Sequence, residues 1–492
     1  MIFFINSPKK AIITVANERL FYKMKVNNAT RPFGIRDKIG YLFGDFGNDF
    51  TFLLSSSFLL KFYTDVMHLS AGVVGIVMML ARFVDAFTDV TMGRICDRAR
   101  PTAAGKFKPW ILRMCAPVAI ASFLIYQSAF ASRPEWFRIL WLVVTYILWG
   151  SIFYTSINIP YGSMASTISR ESADRQSLST FRTMGSTLAG VIVGAGVPLV
   201  AYDTRIVDGV EIAEMNGERF TFIAGVFSVL AIVAYLLCYV MITERVIPDE
   251  AAEVRRTSVG GMLKSALTNR ALISIIVASI LMLLSQFTLQ QMANYVYPDY
   301  YANTAAQSAS TIAMMLGMVV AAALARPLAQ KFGKAEISVA SNLLAAAVCL
   351  VLFFVRPQSV WVYVAVNLFS WLGLGIFAMV SWALITDVID YSEIRNGIRE
   401  DGSIYAMYSF ARKIGQAAAA GLTGLFLTLI GYEKLPGATL PESVKEGIFD
   451  ISTLIPAIGF ILLSAVLWFW YPLHKREVER NVQFLKEKHA QD

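Results

Sequence analysis

Apolar runs of about twenty residues recur along this chain, and a run of that length crosses the roughly 30 Å of bilayer hydrocarbon as a single helix. Inside lipid every backbone N–H and C=O must be paired within the protein, so such runs fold as helices. Twelve can be counted: 39–62, 69–93, 110–130, 138–161, 181–202 and 219–242, then 271–297, 304–327, 335–356, 360–386, 404–430 and 451–473. Only 16% of the 492 residues are charged and 56% are hydrophobic, with a mean hydropathy of +0.56. A soluble domain carries about 25% charged residues. The fold class is an all-α integral membrane protein of twelve transmembrane helices.

The polar stretch 243–270 separates two sets of six helices. The expected organisation is a tail over 1–32, a six-helix bundle over 33–242, a linker over 243–270, a second bundle over 271–474 and a tail over 475–492. Two six-helix halves suggest the major facilitator architecture, whose substrate site lies at mid-membrane between the halves. A weak internal repeat supports this: GRICDRARPTAAGKFKPW follows helix 2, and ARPLAQKFGKAEI follows helix 8, its counterpart in the second half. The basic residues cluster in the first tail, the loop after helix 2, the central linker and the C-terminus, whereas YPDYYANT at 297–304 has none. Both termini are therefore expected in the cytoplasm. That clustering explains the net charge of +8 better than nucleic-acid binding does. The N-terminus does not read as a signal peptide, because its lysines follow the first apolar residues instead of preceding a long apolar run. The four scattered cysteines read as free thiols.

A charge at the bilayer centre costs at least about 2.5–3.5 kcal/mol, so each intramembrane charge asks for a reason. Helix 1 holds Asp45 and Asp49, and helix 2 holds Arg82, Asp85 and Asp89 in RFVDAFTDVTMG. Spacings of three and four put the last three on one stripe. Arg182 at the start of helix 5, with Arg412 and Lys413 in helix 11, adds cations; Arg82, Arg182 and Arg412 read as lying close to helix ends, where an ion pair of purely structural role is the competing explanation. Two neighbouring carboxylates raise each other's pKa and share a proton, or supply oxygens to a small cation. Either use gives an ion-coupling site. A channel would need equivalent groups repeated around a pore, and none repeat here. No HExxH or GxSxG is present, and GLGIFA at 373–378 lies within an apolar helix with no preceding strand, so neither an enzyme nor a dinucleotide site is indicated.

The blocks FYTDVMHLS (62–70), ARFVDAFTDVTMGRICDR (81–98), GKFKPW (105–110), YTSINIPYGS (154–163), WALITDVIDYSEIRNGIR (382–399) and SFARKIGQA (409–417) resemble the glycoside–pentoside–hexuronide:cation symporters. The likeness runs from about Phe33 to Leu473. It implies that Asp49 binds sugar hydroxyls and that Arg182 contacts sugar. It further implies that Asp85 and Asp89 form the cation site with Thr155, and that Lys413 lies near them. Relative to the melibiose permease pattern, Asn158 replaces an aspartate and Gly162 a tryptophan that stacks on a galactosyl ring, leaving Tyr154 or Tyr161 as stacking surfaces. NIPYGS, SWALITDV and SFARKIGQA are closer to the glucuronide and xyloside branch.

Sugar recognition calls for planar groups that bind paired hydroxyls and for an aromatic face, which Asp49, Asn158, Arg182, Tyr154 and Tyr161 supply, and Lys413 joins them as a substrate-binding candidate that, with Arg182, could hold a uronate. The expected function is cation-coupled symport of a glycoside, pentoside or hexuronide into the cell by alternating access, with no cofactor. H⁺ or Na⁺ is the coupling ion, and Asp85 and Asp89 are metal ligands only if it is Na⁺. The expected partners are a small sugar, a monovalent cation and the lipid bilayer, with the protein working as a monomer in a bacterial inner membrane. Asp387, Asp390, Glu393, Arg395 and Arg399 are candidates for cross-half pairs that close an inner gate; a solvated charged loop is the alternative. A lysolipid symporter and a non-transporting membrane sensor are the rival functions.

Overall fold

Because spanning helices are set by hydropathy and ended by polar turns, the order of elements follows the apolar runs closely. The computed structural model describes residues 31–207, 209–246, 269–396, 401–435 and 437–489. Its long helices are α1 (Ile35–Asp65), α2 (Ala71–Arg98), α3 (Lys108–Ile125), α4 (Glu135–Ile168), α5 (Ser172–Ala201) and α6 (Gly217–Met241). After the central segment come α7 (Arg270–Tyr295), α8 (Thr304–Phe332), α9 (Lys334–Val355), α10 (Val360–Asn396), α11 (Asp401–Leu429) and α12 (Glu442–Ala465). Ten of these twelve are long and apolar enough to cross a membrane. The other two, α1 and α11, fall short because they carry buried or half-buried polar residues along their middles, among them Asp45, Asn48, Asp49 and Lys413.

Three features depart from the sequence expectation. First, α4 and α5 extend well beyond 138–161 and 181–202, because their polar turns, such as SADRQSLST, continue the helix outside the apolar run. Arg182 therefore lies ten positions past Ser172, about 15 Å into the helix. Arg82 and Arg412 likewise sit mid-helix, so the placement of all three near helix ends is corrected. Second, a hairpin of β1 (Tyr202–Val207) and β2 (Val210–Met215), paired antiparallel, joins α5 to α6. Third, the C-terminal segment expected as a tail forms a polar amphipathic helix, α13 (Lys475–His489).

The halves meet along α2 with α11, α5 with α8, and α1 with α7. Small residues let α2 and α11 close up: a Cβ on Gly75 would stand 3.0 Å from the Ala420 carbonyl and 3.1 Å from the Gly424 Cα. Such contacts are how membrane helices pack without a hydrophobic drive between them. The buried side chains form two clusters. One unites the first half with the end of the second half farthest from the termini, including Tyr295, Tyr297, Tyr432 and Phe449. The other is confined to the second half, mostly toward its end near the termini. The buried core is thus continuous between the halves at the far end.

A charge cluster reinforces the far end. Lys61 closes α1 and forms ion pairs with Asp65 at 2.7 Å and with Asp299, beyond α7. Lys434, after α11, also pairs with Asp299 and donates to the Ala213 carbonyl of β2 at 2.8 Å. Tyr432 Oη accepts from Lys61 at 2.7 Å and lies 2.8 Å from Asp65 and 2.9 Å from Asp299. The Lys61 and Asp299 side chains have no solvent exposure. Two ammonium groups and two carboxylates cancel, which is the condition for burying them at all. Burial opposes the charged form of Lys434, but Asp299 and Asp65 outweigh it and hold the pKa above the ordinary lysine value.

At the near end, Asp37 and Glu244 tie the first half to the segments that flank it. Asp37 pairs with Arg31 at 2.8 Å and Arg245 at 2.9 Å. Glu244 accepts from the backbone N–H groups of Lys106, Phe107 and Lys108 at 2.7–2.9 Å, at the electropositive start of α3. The internal repeat has a geometric counterpart: Gly105 and Gly333 both have positive φ, 125° and 105°, and a Cβ on either would collide with the carboxylate of Glu244 or Glu336. Of the inner-gate candidates, Asp387 pairs with Lys334 of its own half at 2.6 Å. Asp390, Glu393 and Arg395 lie along the end of α10, and Arg399 lies outside the described residues.

Lys61→Met leaves buried carboxylates uncompensated and is expected to cost about 3–5 kcal/mol, read as a fall in the thermal unfolding midpoint in detergent. Adding Asp65→Asn should recover much of that loss; equal midpoints for Lys61→Met and wild type would show that the cluster does not hold the halves together.

Candidate functional site

The aspartates of α2 meet a matched pair of hydroxyls on α4. Ser151 Oγ donates to Asp85 Oδ1 at 2.5 Å, and Thr155 Oγ1 donates to Asp89 Oδ1 at 2.8 Å. Both helices use a spacing of four, so two carboxylates on one stripe face two hydroxyls on another. The α4 stripe is set by a π-helical turn at Leu148–Tyr154, which takes an extra residue per turn and re-aims the side chains beyond it. Thr155 Oγ1 also lies 3.2 Å from the Gly150 carbonyl.

Each carboxylate also has a cation. Arg82 Nη1 is 3.4 Å from Asp85 Oδ2, with its guanidinium 5.2 Å from the centre of the Phe52 ring. Asp89 is paired with Lys413 of α11, in the other half. Asp89 is therefore shared between halves, held by Thr155 from one side and Lys413 from the other. The oxygens of Asp85, Asp89, Ser151, Thr155 and Gly150 suit a hard monovalent cation or a proton. Among the described residues, no group of three or more His, Cys, Asp and Glu converges.

A second cluster joins α1, α4, α5 and α6. Arg182 Nε donates to Asp45 Oδ1 at 3.0 Å, and its guanidinium lies 5.4 Å from the Tyr161 ring centre. Ser186, one turn further along α5, donates to Asp49 Oδ2. Among the described residues no cation pairs with Asp49, which is buried at 8% exposure. Asn48 bridges Asn158 at 3.4 Å and Tyr235 at 2.8 Å. Gly162 stands beside Arg182, where an added Cβ would be 4.0 Å from Nη1.

Of the sequence candidates, Asp85, Asp89, Thr155 and Lys413 come together, and so do Asp49, Asn158 and Arg182. The two tyrosines are placed differently from each other. Tyr161 is buried at 1% exposure, stacked on Tyr41 at 4.6 Å with reciprocal hydrogen bonds from each hydroxyl to the other's carbonyl. Tyr154 is half-buried and stacks on Phe52 at 5.7 Å. Sequence reasoning missed Ser151, Ser186 and the Asp45–Arg182 pair. The 151/155 spacing that mirrors 85/89 was the available signal for Ser151.

Residues 40–475 match the family model described as MFS/sugar transport protein. The chain belongs to that family. It is a multi-pass membrane transporter of the all-α major facilitator fold, not an enzyme. It is 29% identical over 458 residues to the uncharacterized symporter YjmB of Bacillus subtilis (strain 168), covering 92% of this chain and 96% of that one. It is 28% identical over 453 residues to the glucuronide carrier protein homolog of Escherichia coli (strain K12), covering 91% and 94%. Among solved structures, a bacterial homolog of the human lysosomal transporter Spinster superposes with a TM-score of 0.64 at 10% identity, over 94% of this chain and 98% of that chain.

Arg182→Leu strands the Asp45 carboxylate and is expected to cost about 1.5–3 kcal/mol, the worth of a hydrogen bond to a charged group. Combining it with Asp45→Asn should restore most of the unfolding midpoint. A double variant as unstable as the sum of the singles would mean that the two side chains are not coupled.

Proposed function

We propose that the protein is a cation-coupled symporter that carries a glycoside, pentoside or hexuronide into the cell by alternating access. The observation that carries this reading is the dual hold on Asp89, by Thr155 in its own half and Lys413 in the other. In the state described, the Lys413 ammonium occupies the place of a mobile cation. A proton or Na⁺ arriving at Asp89 displaces it, so ion occupancy is linked to a contact between the halves. Asp85, with Ser151 and Arg82, tunes that site by adding negative charge and a hydroxyl oxygen.

Asp49 is the carboxylate left for substrate. It has a hydroxyl partner and, among the described residues, no paired cation, so it can accept hydrogen bonds from sugar hydroxyls, with Arg182 and Asn158 as neighbouring planar groups. Neutralising the α2 carboxylates reduces the negative potential near Asp49 and favours sugar binding there. Basic residues at the end carrying the termini support a cytoplasmic location for both termini in a bacterial inner membrane. The far-end cluster then faces outward, and the described state is closed outside. Opening alternates as the bundles 33–242 and 271–474 rock about the site, with the protein acting as a monomer. The inner-gate candidates on α10 would close the opposite side. Inward movement of one positive charge releases about 2.3 kcal/mol per 100 mV, the source of accumulation. A lysolipid cargo gains no support, since the cavity between the halves is lined by amides and hydroxyls as well as apolar side chains.

Uptake of labelled glycosides in whole cells and inverted vesicles, with and without sodium and with an uncoupler, tests the assignment. Asp85→Asn combined with Asp89→Asn is expected to abolish concentrative uptake while leaving downhill equilibration. Uphill accumulation by that variant would sink the coupling assignment.

A further inference from the structure

Beyond Asp49 and Ser186, toward the far end, the halves enclose a cavity of about 200 Å³ between α1, α5, α7, α8 and α10. Its lining contains no charged residue. Four amides face it, Gln290 and Asn294 from α7, Gln307 from α8 and Asn367 from α10, with Trp371 and Tyr297 as aromatic walls. Some of this polarity is already used: Asn294 Nδ2 donates to the Ser57 carbonyl of the other half at 2.7 Å, and Gln307 Nε2 donates to Asn294 Oδ1 within the second half at 2.7 Å.

The remainder is poorly satisfied. Gln307 Oε1 has no hydrogen-bond partner, and the Tyr297 hydroxyl and Asn367 Oδ1 lack a bond of ordinary geometry although Tyr297 stands beside Asn367 and Ser310; the three residues are only 4%, 1% and 6% exposed. Buried polar atoms are ordinarily paired in good geometry, so one orphan and two poorly satisfied groups around one cavity point to a polar occupant. The cavity is also continuous with the ion-paired cluster. Ser186 lines it while donating to Asp49, and the α5 wall runs on to Gly194, about 12 Å further along the axis.

We propose that this cavity is a second subsite for an uncharged, polyhydroxylated unit of the substrate. The transported molecule is then a glycoside of at least two rings, one at Asp49 and Arg182 and the next against Asn367, Gln307 and Tyr297. Amides offer donors and acceptors to adjacent hydroxyls, and the aromatic walls cover the C–H face of a ring. The lack of charge selects against a second anionic group, which would be desolvated with no counter-ion. This rests on the reading that the protein transports a sugar, and it adds the length and charge of that sugar.

The test is competition against uptake in proteoliposomes, using methyl pentosides, methyl hexosides and methyl hexuronides, together with the two-ring glycosides built from them. Wild type should prefer a two-ring glycoside to the methyl glycoside of its first ring. Tyr297→Phe removes one poorly satisfied hydroxyl with little change of shape, and Asn367→Leu removes an amide at similar volume. Each should weaken the two-ring compound about tenfold while leaving the one-ring affinity and the cation dependence as in wild type. Equal weakening of both classes, or no change in either, would overturn the second subsite while leaving sugar transport standing. Failure of wild type to take up any sugar of either length would instead remove the transport reading, and this proposal with it.

Discussion

Asp299 lies fully buried between Lys61 and Lys434, and that arrangement determines which parts of the molecule meet. One aspartate at the end of α7 holds the end of α1 and the segment after α11, while Lys434 reaches on to the hairpin between α5 and α6. With two carboxylates and two ammonium groups, the cluster is neutral as a whole and costly to break in part. Around it the aromatic core runs without interruption from one half into the other. The far end is closed for that reason, and the cavity between the halves has a roof.

Farther along α2, the contact between halves is of another kind. At the far end it is many-sided and desolvated; at Asp89 it is a single ammonium on a single carboxylate, both partly exposed. A partly exposed pair is worth far less than a buried one, so it can be broken by ligand exchange. The structure therefore places a strong closure at one end and a weak, exchangeable contact next to the candidate ion site.

The number of helices, their division into two sets and most candidate site residues were legible in the sequence because membrane insertion leaves a coarse hydropathy signal and makes intramembrane charge conspicuous. Asp85, Asp89 and Lys413 stood out on that ground, and α4 brings Thr155 to them. The features that were not legible depend on depth and on partners. Arg182 looked peripheral because the polar turns of α5 resemble a loop, yet they are helix. Lys61 sits where an apolar run is ending, so it drew no notice until Asp299 and Lys434, hundreds of residues away, were found against it. The cavity-lining amides of α8 and α10 are single polar residues in apolar helices, and only the folded arrangement shows that they converge.

The π-helical turn in α4 has an implication for how this helix tolerates change in length. A turn that accommodates one additional residue separates the helix into two segments whose faces are out of phase by about 100° relative to a continuous α-helix. Thr155, Asn158 and Tyr161 all lie beyond it and keep their facing because the wide turn absorbs that extra residue. Loss of one residue within 148–154 would let the α-helix form with that facing kept, whereas rewinding the same stretch as regular α-helix at its present length would regularise the backbone while turning the entire far segment away from α1 and α2. In α4, the locally better helix is the one that would misdirect its side chains.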